Sequence, residues 1–286
     1  MRLASYLVGS KAEFGIVVGD GLIDLSVRTR TSSLRILLAA GGLAEAARFA
    51  GAMPDRALDS VALLPVVPDC AHCYCVGVNY EDHLREVQQA GVARPRPKQP
   101  SLFIRYPETF VAHGGPLVVP KVSDDLDYEA ELAVVVAKGG RYIPHERAMD
   151  HVAGYSCFND GSIRDWQFHS SQVTSGKNFI GTGGFGPWLV TPDEAGDAGA
   201  LAVRLAVNGR VLQDCRMSDM LFDVAAIVSY ASAFLPLQPG DVIATGTPAG
   251  VGFSRKPPIF LKPGDICEVR IEGVGTLRNT VVKATE

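Results

Sequence analysis

Residues 127–136 run DYEAELAVVV, two acids one residue apart followed by an unbroken aliphatic stretch. Its Val and Leu content predicts a strand, and side chains on a strand alternate between faces. Glu129 and Glu131 therefore share one face, while Ala130, Leu132 and Val134 occupy the other. Two steps at about 3.3 Å rise each set their Cβ atoms roughly 6 to 7 Å apart, close enough for both carboxylates to reach one cation. Like charges side by side against an apolar run repel unless something positive lies between them. On its own the pair fits a solvated strand face equally well, since acids are mostly exposed. Asp160, ending the apolar stretch VAGYSCFND, supplies a candidate third oxygen ligand. An all-carboxylate set suits hard Mg²⁺ or Mn²⁺ better than zinc.

Outward from this stretch, most of the chain beyond Cys70 reads as strands: CYCVGV, LFIRY, VAGYSCFND, PWLV, LAVRLAV, DVIATG and DICEVRI. Asn208-Gly209 between two apolar runs marks a hairpin. Helices are expected at Glu81 to Ala90, just after Pro144, and from Ser218 to Leu235. Regular βαβα alternation is missing, so the expected class is α+β, mainly β. LQPGD at Leu237 and LKPGD at Leu261 place one turn type before a strand twice. Ahead of this lies a smaller unit. It has a first strand, FGIVV and LIDL joined through Gly19-Asp20-Gly21, and a helical stretch from Ser33 to Ala50 interrupted at Gly41-Gly42. Pro54, Pro65 and Pro68 punctuate the connection, giving a small N-terminal α/β domain over 1–68 and a main domain over 69–286.

The chain has 286 residues, 47% hydrophobic and 20% charged, with a net charge of −4. That is enough material for a sizeable core, and the scattered Lys and Arg residues form no stripe for nucleic acid. The first apolar stretch breaks at Gly9 and Lys11, too early for a secretory signal, and no window approaches a membrane span. The expectation is a cytoplasmic protein. Cys70, His72, Cys73 and Cys75 form a soft-ligand group that lacks a second pair at zinc spacing, and strand alternation sends His72 away from Cys73 and Cys75. Reduced, buried thiols are expected there instead.

His83 and Glu86 lie three apart in GVNYEDHLREVQQAG, on one face of the expected helix. A carboxylate beside imidazole fixes its tautomer and raises its basicity, as a water-activating base requires; an exposed polar helix is the competing reading. The proline-rich segment 94–100 follows as a surface loop, and with the helix forms a candidate lid. Two nucleotide-site matches are spurious. Gly181, Gly183 and Gly186 have GxGxxG spacing but precede a strand, and Ser175-Gly176-Lys177 lacks the remaining Walker residues. No G-x-S-x-G elbow occurs.

In order along the chain, GVNYEDHLRE, DYEAEL, GYSCFNDGSIRDWQ, SGKNF, VNG with Gln213, and PGDVIATGTPAGVG resemble segments of the fumarylacetoacetate hydrolase superfamily, from about Val76 to Val281. The resemblance implies a β-roll main domain behind a small N-terminal domain, assembled as a homodimer, with Mg²⁺ or Mn²⁺ on Glu129, Glu131 and Asp160. It implies a His83/Glu86 pair on the lid, Lys177 as the active-site lysine, and Thr247 on a glycine-rich substrate loop. Arg105 stands where relatives often carry lysine, and is assigned to the distal end of the substrate. Arg164 and Gln167 are assigned to the substrate pocket, orienting the ligand groups. The substrate expected is a small keto acid. The leading expectation is cleavage of a C–C bond in a 2,4-diketo acid, by water activated at His83, to pyruvate and an acid. Oxaloacetate decarboxylation, isomerisation of a hydroxydienoic diacid, and a non-catalytic keto-acid-binding or metal-binding protein are the alternatives.

Overall fold

The computed structural model describes residues 1–285. They form a mixed α/β fold, mostly strand, built on two large open sheets and a two-stranded ribbon, and closing no barrel. The expected central strand is present as Ala130–Val136, hydrogen-bonded to Val152–Asp160 on one side and Val242–Ala244 on the other. Its aliphatic run is continuous because both faces are buried, as for a sheet covered on two sides. Ala133 and Val135 pack with Leu3, Phe14 and Leu37, whereas Leu132 and Val134 pack toward Leu205, Val269 and Leu277. The second of these cores joins the large sheet to a smaller one of Arg210–Arg216, Ala202–Val207, Ile266–Ile271, Gly275–Lys283 and Pro116–Val119.

The N-terminal strands continue the large sheet. Arg2–Val8 pairs with Lys11–Val18 and, through Arg2 and Leu3, with Gly183–Val190 of the main body. The helical stretch after Ser33 is two short helices, Leu34–Ala39 and Leu43–Ala47, broken at Gly41-Gly42 as expected. Asn208 and Gly209 both take positive φ, 51° and 78°, in a two-residue turn between Val207 and Arg210, the primed turn that matches strand twist. The repeated PGD motif makes the same turn twice. Gly240 and Gly264 sit at φ 85° and 96°, while Asp241 accepts from Gln238 N–H and Asp265 from Lys262 N–H.

One expected boundary shifts. The last long helix is Val224–Phe234, starting six residues later than Ser218. Leu221 and Phe222 donate their N–H groups to Asn79, and Asp223 then caps the helix by accepting from Ala226 N–H. Gly275–Lys283 is a strand that the hydrophobic pattern does not announce, because Asn279 points inward and is satisfied by Ala112 and Gly115 carbonyls. The thiols are free: Cys70, Cys73, Cys75, Cys157 and Cys267 are buried and Cys215 is half-buried. His72 turns away from the cysteines to Asp241, with Nδ1 3.0 Å from Oδ1.

Candidate metal centre and active site

Strand register brings the three acids together. Asp160 ends Val152–Asp160 and donates its N–H to the Glu129 carbonyl at 2.9 Å, while Glu131 stands opposite Phe158 on the neighbouring strand. One ligand oxygen from each of Glu129, Glu131 and Asp160 lies within 4.8 Å of the other two, and all three side chains are buried. The backbone around them is held by amides: Asn159 Oδ1 accepts from Glu129 N–H, and Gln213 Oε1 from Ala130 N–H.

Charge around the cluster is uneven. Arg164 donates to Asp127 and Glu129 at 2.8 and 2.6 Å. Lys177 Nζ bridges Glu129 and Asp160 at 2.7 and 2.6 Å, and Arg105 pairs with Asp160 at 2.5 Å. Glu131 has no ion-pair partner among the described residues; its one hydrogen bond comes from Gly246 N–H at 2.8 Å. Four buried carboxylates thus meet three cations. Burial and the neighbouring charges of Asp160 and Glu129 push the Glu131 carboxyl well above its ordinary range. Burial also acts on Glu129, but Lys177 and Arg164 outweigh it and hold this carboxyl down at about 2. Lys177 is held protonated: burial lowers its pKa, but Asp160 and Glu129 outweigh burial and raise it above the ordinary value. Converging hard oxygens with one negative charge left over suit a divalent cation, so the residues fit Mg²⁺ or Mn²⁺.

A cavity of about 700 Å³ opens beside the cluster, lined by His83, Glu129, Arg164, Gln167, Lys177 and Thr247 among others. His83 comes from the helix Glu81–Gln89 and is buried, its Nδ1 3.0 Å from Glu86 Oε2. Burial raises the Glu86 pKa, but the His83 ring, Ser254 Oγ–H and Gly250 N–H together outweigh it and leave the carboxyl below its usual value. With Nδ1 engaged, Nε2 is the ring nitrogen left to exchange a proton in the cavity. Thr247 Oγ1 accepts from Gln213 Nε2 at 2.8 Å, which frees its own proton for a ligand. Gln167 Oε1 accepts from Arg164 at 2.7 Å.

One residue lies elsewhere than expected. Arg105 is fully buried and does not line the cavity; its guanidinium is used on Asp160, the Gly161 carbonyl, Thr109 and Thr182. It steadies the Asp160 carboxylate and lies behind the cavity wall, away from the place expected for the far end of a substrate. Gly183 passes beside it, where an added Cβ would stand 2.6 Å from Arg105 Nε. That close approach explains the glycine-rich stretch better than a nucleotide site does. Asp127 also stands within DYEAEL, where no sequence signal separates it from its neighbours; it accepts from Gly252 and Phe253 N–H groups as well as Arg164, tying the glycine-rich loop to the cluster.

Residues 72–282 match the family model described as the fumarylacetoacetate (FAA) hydrolase C-terminal domain. The chain belongs to the fumarylacetoacetate hydrolase family. Among its relatives is a Xenopus laevis protein named oxaloacetate tautomerase fahd2, mitochondrial, 40% identical over 78% of this chain and 69% of that one. The structure of fumarylacetoacetate hydrolase from Exiguobacterium antarcticum is 35% identical, with a TM-score of 0.81 over 99% of this chain and 100% of the other. Maleylpyruvate hydrolase from Sphingobium sp. SYK-6, solved with manganese(II) and pyruvate, is 28% identical with a TM-score of 0.82, over 100% of both chains. Members of this fumarylacetoacetate hydrolase family are enzymes, among them a tautomerase, hydrolases and isomerases by name. No helix of the described residues is long and apolar enough to cross a membrane.

Proposed function

We propose that this protein interconverts the enol and keto forms of a short 2-keto diacid of the oxaloacetate type, with Mg²⁺ or Mn²⁺ as cofactor. The observation that carries this reading is the His83–Glu86 pair, 3.0 Å apart, facing the cavity that also receives Glu129 and Lys177. Enol-to-keto conversion takes a proton from the enol oxygen and places one on C3, so it needs a group able to accept and return a proton. His83 serves through Nε2, with Glu86 accepting from Nδ1 and so keeping the ring proton there. Lys177 contributes a fixed positive charge where negative charge develops on the 2-oxygen. Thr247 donates its hydroxyl proton to the substrate's C1 carboxylate, and Arg164 with Gln167 keeps Glu129 in place. A divalent cation on Glu129, Glu131 and Asp160 would supply Lewis-acid charge that favours ionisation of an adjacent 2-keto acid.

Hydrolysis of a 2,4-diketo acid to pyruvate and an acid is the second reading, with His83 deprotonating water instead of enol. It is favoured by the likeness to the Sphingobium hydrolase over the whole chain. The tautomerase reading stands ahead of it because the relative bearing that name is 40% identical, against 28% for the hydrolase. Enolic oxaloacetate mixed with the Mn²⁺-loaded protein, followed by loss of enol absorbance, tests the choice. Conversion should exceed the uncatalysed rate and fall about 10²–10⁴-fold in His83→Ala, the range of a lost acid–base group. Pyruvate release from an acylpyruvate faster than enol conversion would put hydrolysis first.

A further inference from the structure

Arg94 is a cavity residue that neither the fold nor the metal centre accounts for. It follows the helix Glu81–Gln89 and is tied back to it by Gln88 Nε2, which donates to the Arg94 carbonyl at 2.7 Å. Its side chain is half-buried on the cavity wall. The guanidinium makes one hydrogen bond, to the Gly77 carbonyl. Four basic side chains line the cavity, and three are committed: His83 to Glu86, Arg164 to Asp127 and Glu129, and Lys177 to Glu129 and Asp160. Arg94 alone among them has no ion-pair partner within the described residues. Burial draws its pKa down and the charge of Glu129 pulls it back up, as expected for a cation partly withdrawn from water without an anion beside it. Holding a guanidinium out of water is unfavourable unless its donors are used. Most of its five N–H groups remain free in a planar fork that matches a carboxylate.

We propose that Arg94 is the specificity-determining residue that binds the distal carboxylate of a 2-keto diacid, so that the site selects diacids over monoacids. The inference rests on the proposed function for the identity of the keto-acid end, which Lys177, Thr247 and the acid cluster occupy. It also fills the role that Arg105, buried behind Asp160, cannot perform. His83 and Arg94 belong to one segment, so a substrate gripped by Arg94 is gripped by the wall that carries the base.

Oxaloacetate and pyruvate differ by the distal carboxylate alone, and calorimetric binding of each to the Mn²⁺-loaded full chain reads Arg94 directly. Wild-type protein should prefer oxaloacetate. In Arg94→Gln that preference should shrink by about 10- to 100-fold, the range of a charge-assisted hydrogen bond to a carboxylate, while pyruvate affinity moves less than about threefold. Arg94→Lys should restore part of it. Where oxaloacetate is turned over, the loss should fall mainly on KM. If neither protein turns oxaloacetate over, the tautomerase reading fails while the binding ratio still judges Arg94. An unchanged ratio in Arg94→Gln, or equal loss of both ligands in the Gln and Lys variants, would overturn the proposal.

Discussion

Glu129 stands just before the strand Ala130–Val136 and Glu131 just inside it, yet their surroundings are opposite. Two cations hold Glu129 ionised, whereas Glu131 has a single backbone N–H and the field of two other acids. Glu131→Gln keeps an acceptor for Gly246 and removes the surplus charge. We therefore expect the metal-free variant to melt no lower than wild type, while Mn²⁺ affinity falls on the order of 100-fold or more, beyond what losing a supporting partner costs. Calorimetry on both proteins, with and without Mn²⁺, reads the two effects separately. The acids were legible in DYEAEL because period-two alternation is a local property. The place of Arg105 is not legible in the sequence, because its burial depends on Asp160 and Thr182, which only the folded chain brings to it. Arg94 carried no signal at all in a loop of charged and proline residues.

Among the elements, the helix Glu81–Gln89 joins two tasks through Glu86. The carboxylate orients His83 and also ties the helix to the glycine-rich loop at Gly250 and Ser254. Its folded pKa lies below the ordinary carboxylate value of 4.5, so the native state favours the ionised form. The stability this provides is fully present above 4.5 and is lost as pH falls through the lower folded value. Thermal melts of wild type and Glu86→Gln should therefore differ most near neutral pH and converge on acidification; a constant gap across that range would contradict the assignment. The i, i+3 spacing showed this pair in the sequence, because helical neighbours are also local. Gly275–Lys283 and the true start of Val224–Phe234 were hidden, since inward-facing Asn279 and the partners of Asn79 belong to distant parts of the chain.

In the whole molecule, residues 1–68 are less separate than the run of prolines suggests. Their first strand pairs with Gly183–Val190, and Leu3, Phe14 and Leu37 share a core with Ala133, Val135 and Val242. A chain of residues 69–286 would bare that face of the large sheet. We expect it to be insoluble or molten, with a collapsed near-ultraviolet circular dichroism signal; a cooperative melt at the wild-type temperature would make residues 1–68 an independent appendage. The mainly-β class and most of the strands could be read from the sequence, because each depends on composition over a few residues. The pairing of Arg2–Val8 with Gly183–Val190 could not, because it joins residues nearly 190 positions apart.

The account depends on one hard divalent cation among three acidic side chains. Crystals soaked in Mn²⁺ and measured at its absorption edge test this most directly. A single strong anomalous peak within coordination distance of Glu129, Glu131 and Asp160 is the result predicted. A peak at another place, or none at saturating Mn²⁺, would contradict it.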